Sequence, residues 1–130
     1  MIRLACAVGV LCAFSAAASA APPELTGRWS GYWVSEKSGH TGPLHGKFVQ
    51  LDDETYRVRY HGRFAGIIPF VYSAKMHVEG MTDDAILLTA NQNLPFFGSF
   101  QTTATSTATS FDASFTSRSD SGRFVLSRRR

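Results

Sequence analysis

Cysteine is the first thing this chain lacks. It has two, Cys6 and Cys12, and no thiol follows residue 12. That excludes disulfide bracing and thiolate catalysis in the body of the chain. Long apolar runs are missing as well. The run Leu4 to Phe14 falls well short of the roughly 20 residues a membrane-spanning helix needs, so no transmembrane segment is predicted. Charge of one sign is scarce too. The formal net charge is +3, with Arg3 near the start and Arg128-Arg129-Arg130 at the end. Acids and bases nearly balance between them, which excludes a typical nucleic-acid-binding domain.

Catalytic signatures are absent in turn. No Gly-x-Ser-x-Gly elbow occurs. The histidines His40, His45, His61 and His77 form neither His-x-His, which sets two ligands on one strand face, nor the helical His-x-x-x-His. Asp52, Asp53 and Glu54 are adjacent, so their side chains diverge; they read as turn formers rather than paired acid–base carboxylates. The expectation is a non-enzyme with no cofactor and no metal. A hydrolase or metal enzyme built on the loop histidines His40 and His45 is the weakest of three readings.

What is present begins with a leader. Met1-Ile2-Arg3 is a short basic start, Leu4 to Phe14 an apolar run, and Ala18-Ser19-Ala20 a small-x-small cleavage site. This predicts a signal peptide over 1–20, cleavage after Ala20, and a periplasmic or extracellular bacterial protein. Both cysteines fall inside the leader. Cys12 follows Leu11, where lipid attachment wants a small residue, so no lipid anchor is expected. The body is then one domain, 21–127, with a basic tail over 128–130.

No helical period is visible in that body. Short alternating runs punctuated by Gly, Pro, Asp and Ser predict an all-β fold. Leu25 to Val34 holds both tryptophans, and as a strand it places Trp29, Gly31 and Trp33 on one face. Strands are expected over Leu44 to Leu51 and Thr55 to His61, the latter with Tyr56, Val58 and Tyr60 inward. Phe70 to Glu79 follows, with Phe70, Tyr72, Ala74, Met76 and Val78 inward. Pro69 predicts a bulge, break or edge, and Asn91-Gln92-Asn93 ends the strand from Ala85. The Thr/Ser-rich Thr102 to Ser110 specifies register poorly and reads as two strand ends around a turn near Ser106-Thr107. The sum is an antiparallel meander of eight or nine strands, closed or nearly closed into a small barrel, with a two-sheet sandwich as the alternative.

Aromatics are the strongest feature: 2 Trp, 4 Tyr and 10 Phe, of which only Phe14 lies in the leader. In a barrel, inward rings either fill the interior or line a small apolar pocket. Outward Arg57, Arg59, His61, Lys75 and His77 make one basic stripe if their two strands are neighbours.

Gly27-Arg28-Trp29 on the first strand of an exported β chain resembles the calycin barrels, the lipocalins and avidins. The resemblance implies that Trp29 closes the barrel bottom under a basic residue near the last strand, here Arg118 or Arg123, by a cation–π contact. It departs from those families in having no Thr-Asp-Tyr, no evident C-terminal helix and only two tryptophans. Gly39-His40-x-Gly42-Pro43-Leu44 with Ile68-Pro69-Phe70-x-Tyr72 also resembles a small secreted family of environmental bacteria, which implies no activity.

The leading functional expectation is an exported non-catalytic barrel that binds a small apolar ligand or a cell-envelope partner. Tyr32, Trp33, His40 and His45 would then sit at one rim. A structural or protein-interaction module with a filled aromatic core is the second.

Overall fold

The computed structural model describes residues 23–64, 67–94 and 98–129. The expected leader with both cysteines, Ala65, Gly66, the Pro95-Phe96-Phe97 stretch and Arg130 lie outside the described residues. Eight strands follow one another: β1 (Gly27–Ser35), β2 (Thr41–Asp52), β3 (Thr55–Phe64), β4 (Ile68–Met81), β5 (Ile86–Leu94), β6 (Gly98–Ser106), β7 (Ser110–Ser117) and β8 (Ser121–Arg128). Each pairs antiparallel with the next, and β8 returns to β1, so the sheet closes into a barrel. The sandwich alternative is excluded, because a sandwich has no continuous ladder around the circuit.

Alternation accounts for the inside of the barrel. Trp29 and Trp33, Tyr56, Val58 and Tyr60, and Ala74 and Met76 are all buried. Charged and polar side chains alternate with them on the outside. That is the reverse of a lipid-spanning barrel, which turns its apolar face outward.

Tertiary pairing overrides several local signals. Pro69 neither breaks nor bulges its strand: it is the second residue of β4, opposite Arg63, near the strand end where a lost donor is tolerated. Asn91-Gln92-Asn93 does not end β5, which runs on to Leu94 against Gly98. The Thr/Ser run divides as expected, with β6 ending at Ser106 and β7 starting at Ser110. Its register is set by its neighbours. Ala104 lies between Leu88 and Ala113, and Ser106 between Ile86 and Phe111, so small inward side chains face large ones.

The two ends of the barrel differ. The β2–β3, β4–β5 and β6–β7 turns lie with the chain ends at a closed end, where bulges at Gln50/Asp52 and Val78/Gly80 bend the strands. There Trp29 packs on Phe48 (centroids 5.4 Å apart) and on Phe111 (6.4 Å), all fully buried. The Trp29 indole N–H donates to the Leu25 carbonyl at 2.9 Å, so the buried ring leaves no orphan donor. The guanidinium over Trp29 comes from Arg128, whose Cζ lies 4.8 Å from the ring centroid. Arg128 also donates to the carbonyls of Thr26 (2.7 Å), Ala108 (2.8 Å) and Glu24.

Neither Arg118 nor Arg123 closes the barrel, contrary to expectation. Arg118 sits exposed in the β7–β8 turn, and Arg123 points outward, paired with Asp112. The reason is register. Trp29 lies opposite Arg128, and antiparallel pairing puts Arg123 opposite Val34 at the other end. Arg128 is thus the last residue of β8 rather than the start of a loose tail.

Candidate functional site

At the other end the interior is hollow. A cavity of about 430 Å³ opens there, walled by the rings of Trp33, Phe70, Tyr72, Phe100, Phe115 and Phe124, with Phe64 at its edge and Ser117 and Asp120 as polar groups. Filling and lining, set against each other as alternatives, thus both occur, one at each end. The rings interlock: Phe100 and Phe115 stack 5.3 Å apart at 14°, Phe115 meets Phe124 at 4.9 Å, and Tyr60 stacks under Tyr72 at 5.5 Å and 16°.

The hollow arises from glycines facing rings across the ladder. Trp33 pairs with Gly42, Phe70 with Gly62, and Phe115 with Gly122. A Cβ on Gly42 would stand 2.7 Å from the Trp33 indole nitrogen, and one on Gly62 the same distance from Phe70 Cζ. With no side chain opposite, each ring lies over the glycine backbone rather than reaching across the barrel. The indole of Trp33 is pinned by donating to the Arg63 carbonyl at 3.2 Å, and Phe64 meets it edge-on at 5.0 Å.

One polar group in this wall is unspent. The Tyr72 hydroxyl is buried and has no hydrogen-bond partner among the described residues. Burial pushes its pKa up to about 12, against a smaller lowering by the neighbouring Thr102 side chain, so it stays neutral across the physiological range. Tyr60, deeper still, is raised further by burial and bonds only the soft sulfur of Met76 at 3.9 Å. At the rim, Asp120 accepts from Ser35 Oγ at 2.6 Å and from the Ser121 amide at 2.8 Å, which ties the β7–β8 turn to β1.

Of the four residues expected at the rim, only Trp33 lines the cavity. Tyr32 points outward and is half exposed. His40 is exposed in the β1–β2 connection. His45 lies on the outer wall and stacks on His61, 4.8 Å away at 15°. Partial burial lowers the His45 pKa first, with His61 and Arg129 adding to it. No group of three or more His, Cys, Asp or Glu comes together among the described residues. Period-2 alternation marks Phe70, Tyr72 and Phe115 as inward, but not that they share a hollow end. A ring-facing-glycine pattern is the signal that finds it, and reading that pattern requires the strand register.

A second depression lies outside, over β1–β3, lined by Arg28, His45, Lys47, Arg59, His61 and Arg129.

No protein-family model matches this chain, and no curated protein does either. Two solved structures are similar to it. A redesigned β-barrel, mFAP1, bound to DFHBI, aligns with a TM-score of 0.58 at 18% identity, over 81% of this chain and 94% of that one. EF1p2_mFAP2b, also bound to DFHBI, gives 0.58 at 20% over 82% and 94%. The shared feature is a small closed β-barrel. At such identity the likeness carries the fold alone.

Proposed function

We propose that this barrel is an exported, non-catalytic carrier or sensor of a small, flat, largely apolar molecule held at its open end. The observation behind this is the hollow itself: an aromatic-walled space of about 430 Å³. The volume falls in the range of small-molecule pockets, roughly 300–1,000 Å³. Stacked rings such as Phe100 and Phe115 favour a planar guest. Both similar barrels bind DFHBI, which makes that compound a sensible first probe here.

The calycin resemblance is consistent with this reading, since Trp29 is capped by an arginine, although that arginine is Arg128. Export rests on the leader over 1–20. A wholly filled interaction module is disfavoured by the cavity.

The test is titration of purified protein with DFHBI and a panel of planar aromatics, following Trp33 emission in a Trp29→Phe background. Saturable quenching, weakened by Phe100→Ala, is expected. Failure of every planar probe to saturate, with native mass spectrometry of protein from its own cells showing a bare chain, refutes the reading.

A further inference from the structure

The charges on this barrel are sorted in a way the balanced composition hides. On the outer wall of β1–β4, Arg28, Lys47 and Arg59 lie side by side across three strands, and Arg57 lies opposite Lys75. No acid intervenes, and the described residues form one salt bridge, Arg123 with Asp112, on the opposite wall. Cations paired directly across strands repel each other, so this face is not arranged for stability. Glu79 lies outward on β4, Glu36 and Asp120 at the open-end turns and Asp112 on β7, while at least half of the ten acids gather at the closed end. Asp52, Asp53, Glu54, Asp83 and Asp84 all lie at the closed-end turns. The β1–β4 flank is therefore rich in cations, and Asp52 at the β2–β3 turn lies close enough to Lys75 to feel its charge.

A second, independent feature adjoins the positive flank at the open end. The β3–β4 hairpin projects Ile67, 79% exposed, Ile68, 57% exposed, and Val71, 63% exposed, beside Phe64. Three of these do not belong in water by their burial habits, and they cluster on one hairpin. Arg63 and His61 follow on the outward face of β3, stepping away from the tip by about 7 Å for every second residue. An apolar tip followed by cations is the polarity profile of a bilayer interface, with acyl chains first and phosphates behind them. Phe64 and Val71 also border the cavity, so the same hairpin forms one side of its mouth.

We propose that the open end docks on an anionic lipid bilayer, with the β3–β4 hairpin seated among the acyl chains and the β1–β4 wall against the headgroups. The mouth of the cavity meets the lipid phase, so an apolar ligand enters or leaves without crossing water. This last step rests on the ligand reading above; the docking does not.

Sedimentation with phosphatidylcholine vesicles, with and without phosphatidylglycerol, tests it on ligand-free protein. Binding is expected only with the anionic lipid, and it should fall steeply as salt is raised. Ile67→Asp alters a residue that does not line the cavity and should cut vesicle binding at least tenfold while leaving probe binding in solution unchanged. Arg57→Glu places an acid opposite Lys75, so it is expected to fold, and should also weaken binding; Ser114→Glu on β7 is the matched control and should not. Vesicle binding that is absent, indifferent to phosphatidylglycerol or unchanged by Ile67→Asp overturns the proposal. So does tight binding of soluble polyphosphate that depends on Arg57 but not on Ile67. Probe titration without vesicles tests the cavity separately, so either reading can fail alone.

Discussion

Replacing Arg128 with alanine should destabilise the barrel far more than its place at the last position of β8 suggests. The side chain lies 4.8 Å over the fully buried Trp29 and donates to three carbonyls, those of Glu24, Thr26 and Ala108. These contacts tie the segment before β1 to the β6–β7 turn, across the closed end. A cation–π contact of this kind contributes about 0.5–2 kcal/mol. Each charge-assisted hydrogen bond contributes up to about 1.5–3 kcal/mol when buried. This site is partly open to water, and the freed carbonyls can rehydrate, so most of that second amount is recovered. A net loss of about 2–3 kcal/mol is expected, equivalent to roughly 10–20 °C in Tm for a domain of this size. Urea unfolding followed by near-ultraviolet circular dichroism of Trp29 measures it. Arg128→Lys should recover about half, because an ammonium cannot hold three carbonyls in one plane. Arg129→Ala and Arg123→Ala, both at exposed positions, should be close to neutral. A loss below about 0.5 kcal/mol for Arg128→Ala, beneath what a single net hydrogen bond contributes, would falsify the view that this arginine seals the barrel.

Tyr72→Phe removes an unpaired buried hydroxyl, so stability should hold or rise by up to about 1 kcal/mol. Because that hydroxyl has almost no accessible surface, affinity for apolar and hydrogen-bond-accepting probes alike should change by less than about twofold; a selective loss for accepting probes would show that the hydroxyl turns into the hollow. Gly62→Ala brings a Cβ to 2.5 Å from the Pro43 carbonyl oxygen, forcing β2 and β3 apart. Overpacking of this sort costs about 1–3 kcal/mol, and the denaturation midpoint should drop accordingly. Alkali should also unfold the protein. The Tyr60 and Tyr72 phenols are raised above the unfolded value of 10 by burial, so the folded state keeps protons that the unfolded chain gives up. Stability is then whole below pH 10 and declines above it, by up to about 1.4 kcal/mol per pH unit for each buried phenol. Urea midpoints at pH 9, 10.5 and 11.5 follow this, and Tyr72→Phe should flatten the slope.

Local pattern and tertiary structure divided the work unequally. The all-β class was legible because period-2 alternation, as in Tyr56, Val58 and Tyr60, needs nothing beyond neighbouring residues to be seen. Short polar turns implied a meander, and a meander of eight amphipathic strands has its open edges to hide; pairing β8 with β1 does so. Trp29 as the plug of the closed end followed from its family resemblance, yet its partner did not. Arg118, Arg123 and Arg128 are equivalent in a sequence, and only the shift that sets Arg128 opposite Trp29 selects among them. Pro69 and Asn91-Gln92-Asn93 read as breaks because local propensity is weak beside a ladder on both sides.

The candidate site was less legible than the fold, for the same physical reason. Alternation tells which rings point inward but not the height at which they meet. The hollow depends on Gly42, Gly62 and Gly122 facing Trp33, Phe70 and Phe115, pairs separated in sequence by up to nine residues. The sorting of charge follows suit. A composition near balance gave no hint that cations from β1, β2, β3 and β4 share one wall. By itself the sequence determined what each strand turns inward and that no cysteine follows residue 12. Which residues stand opposite one another, and so where the barrel is sealed, hollow or charged, was decided by closure of the sheet, because register is a property of pairs of strands.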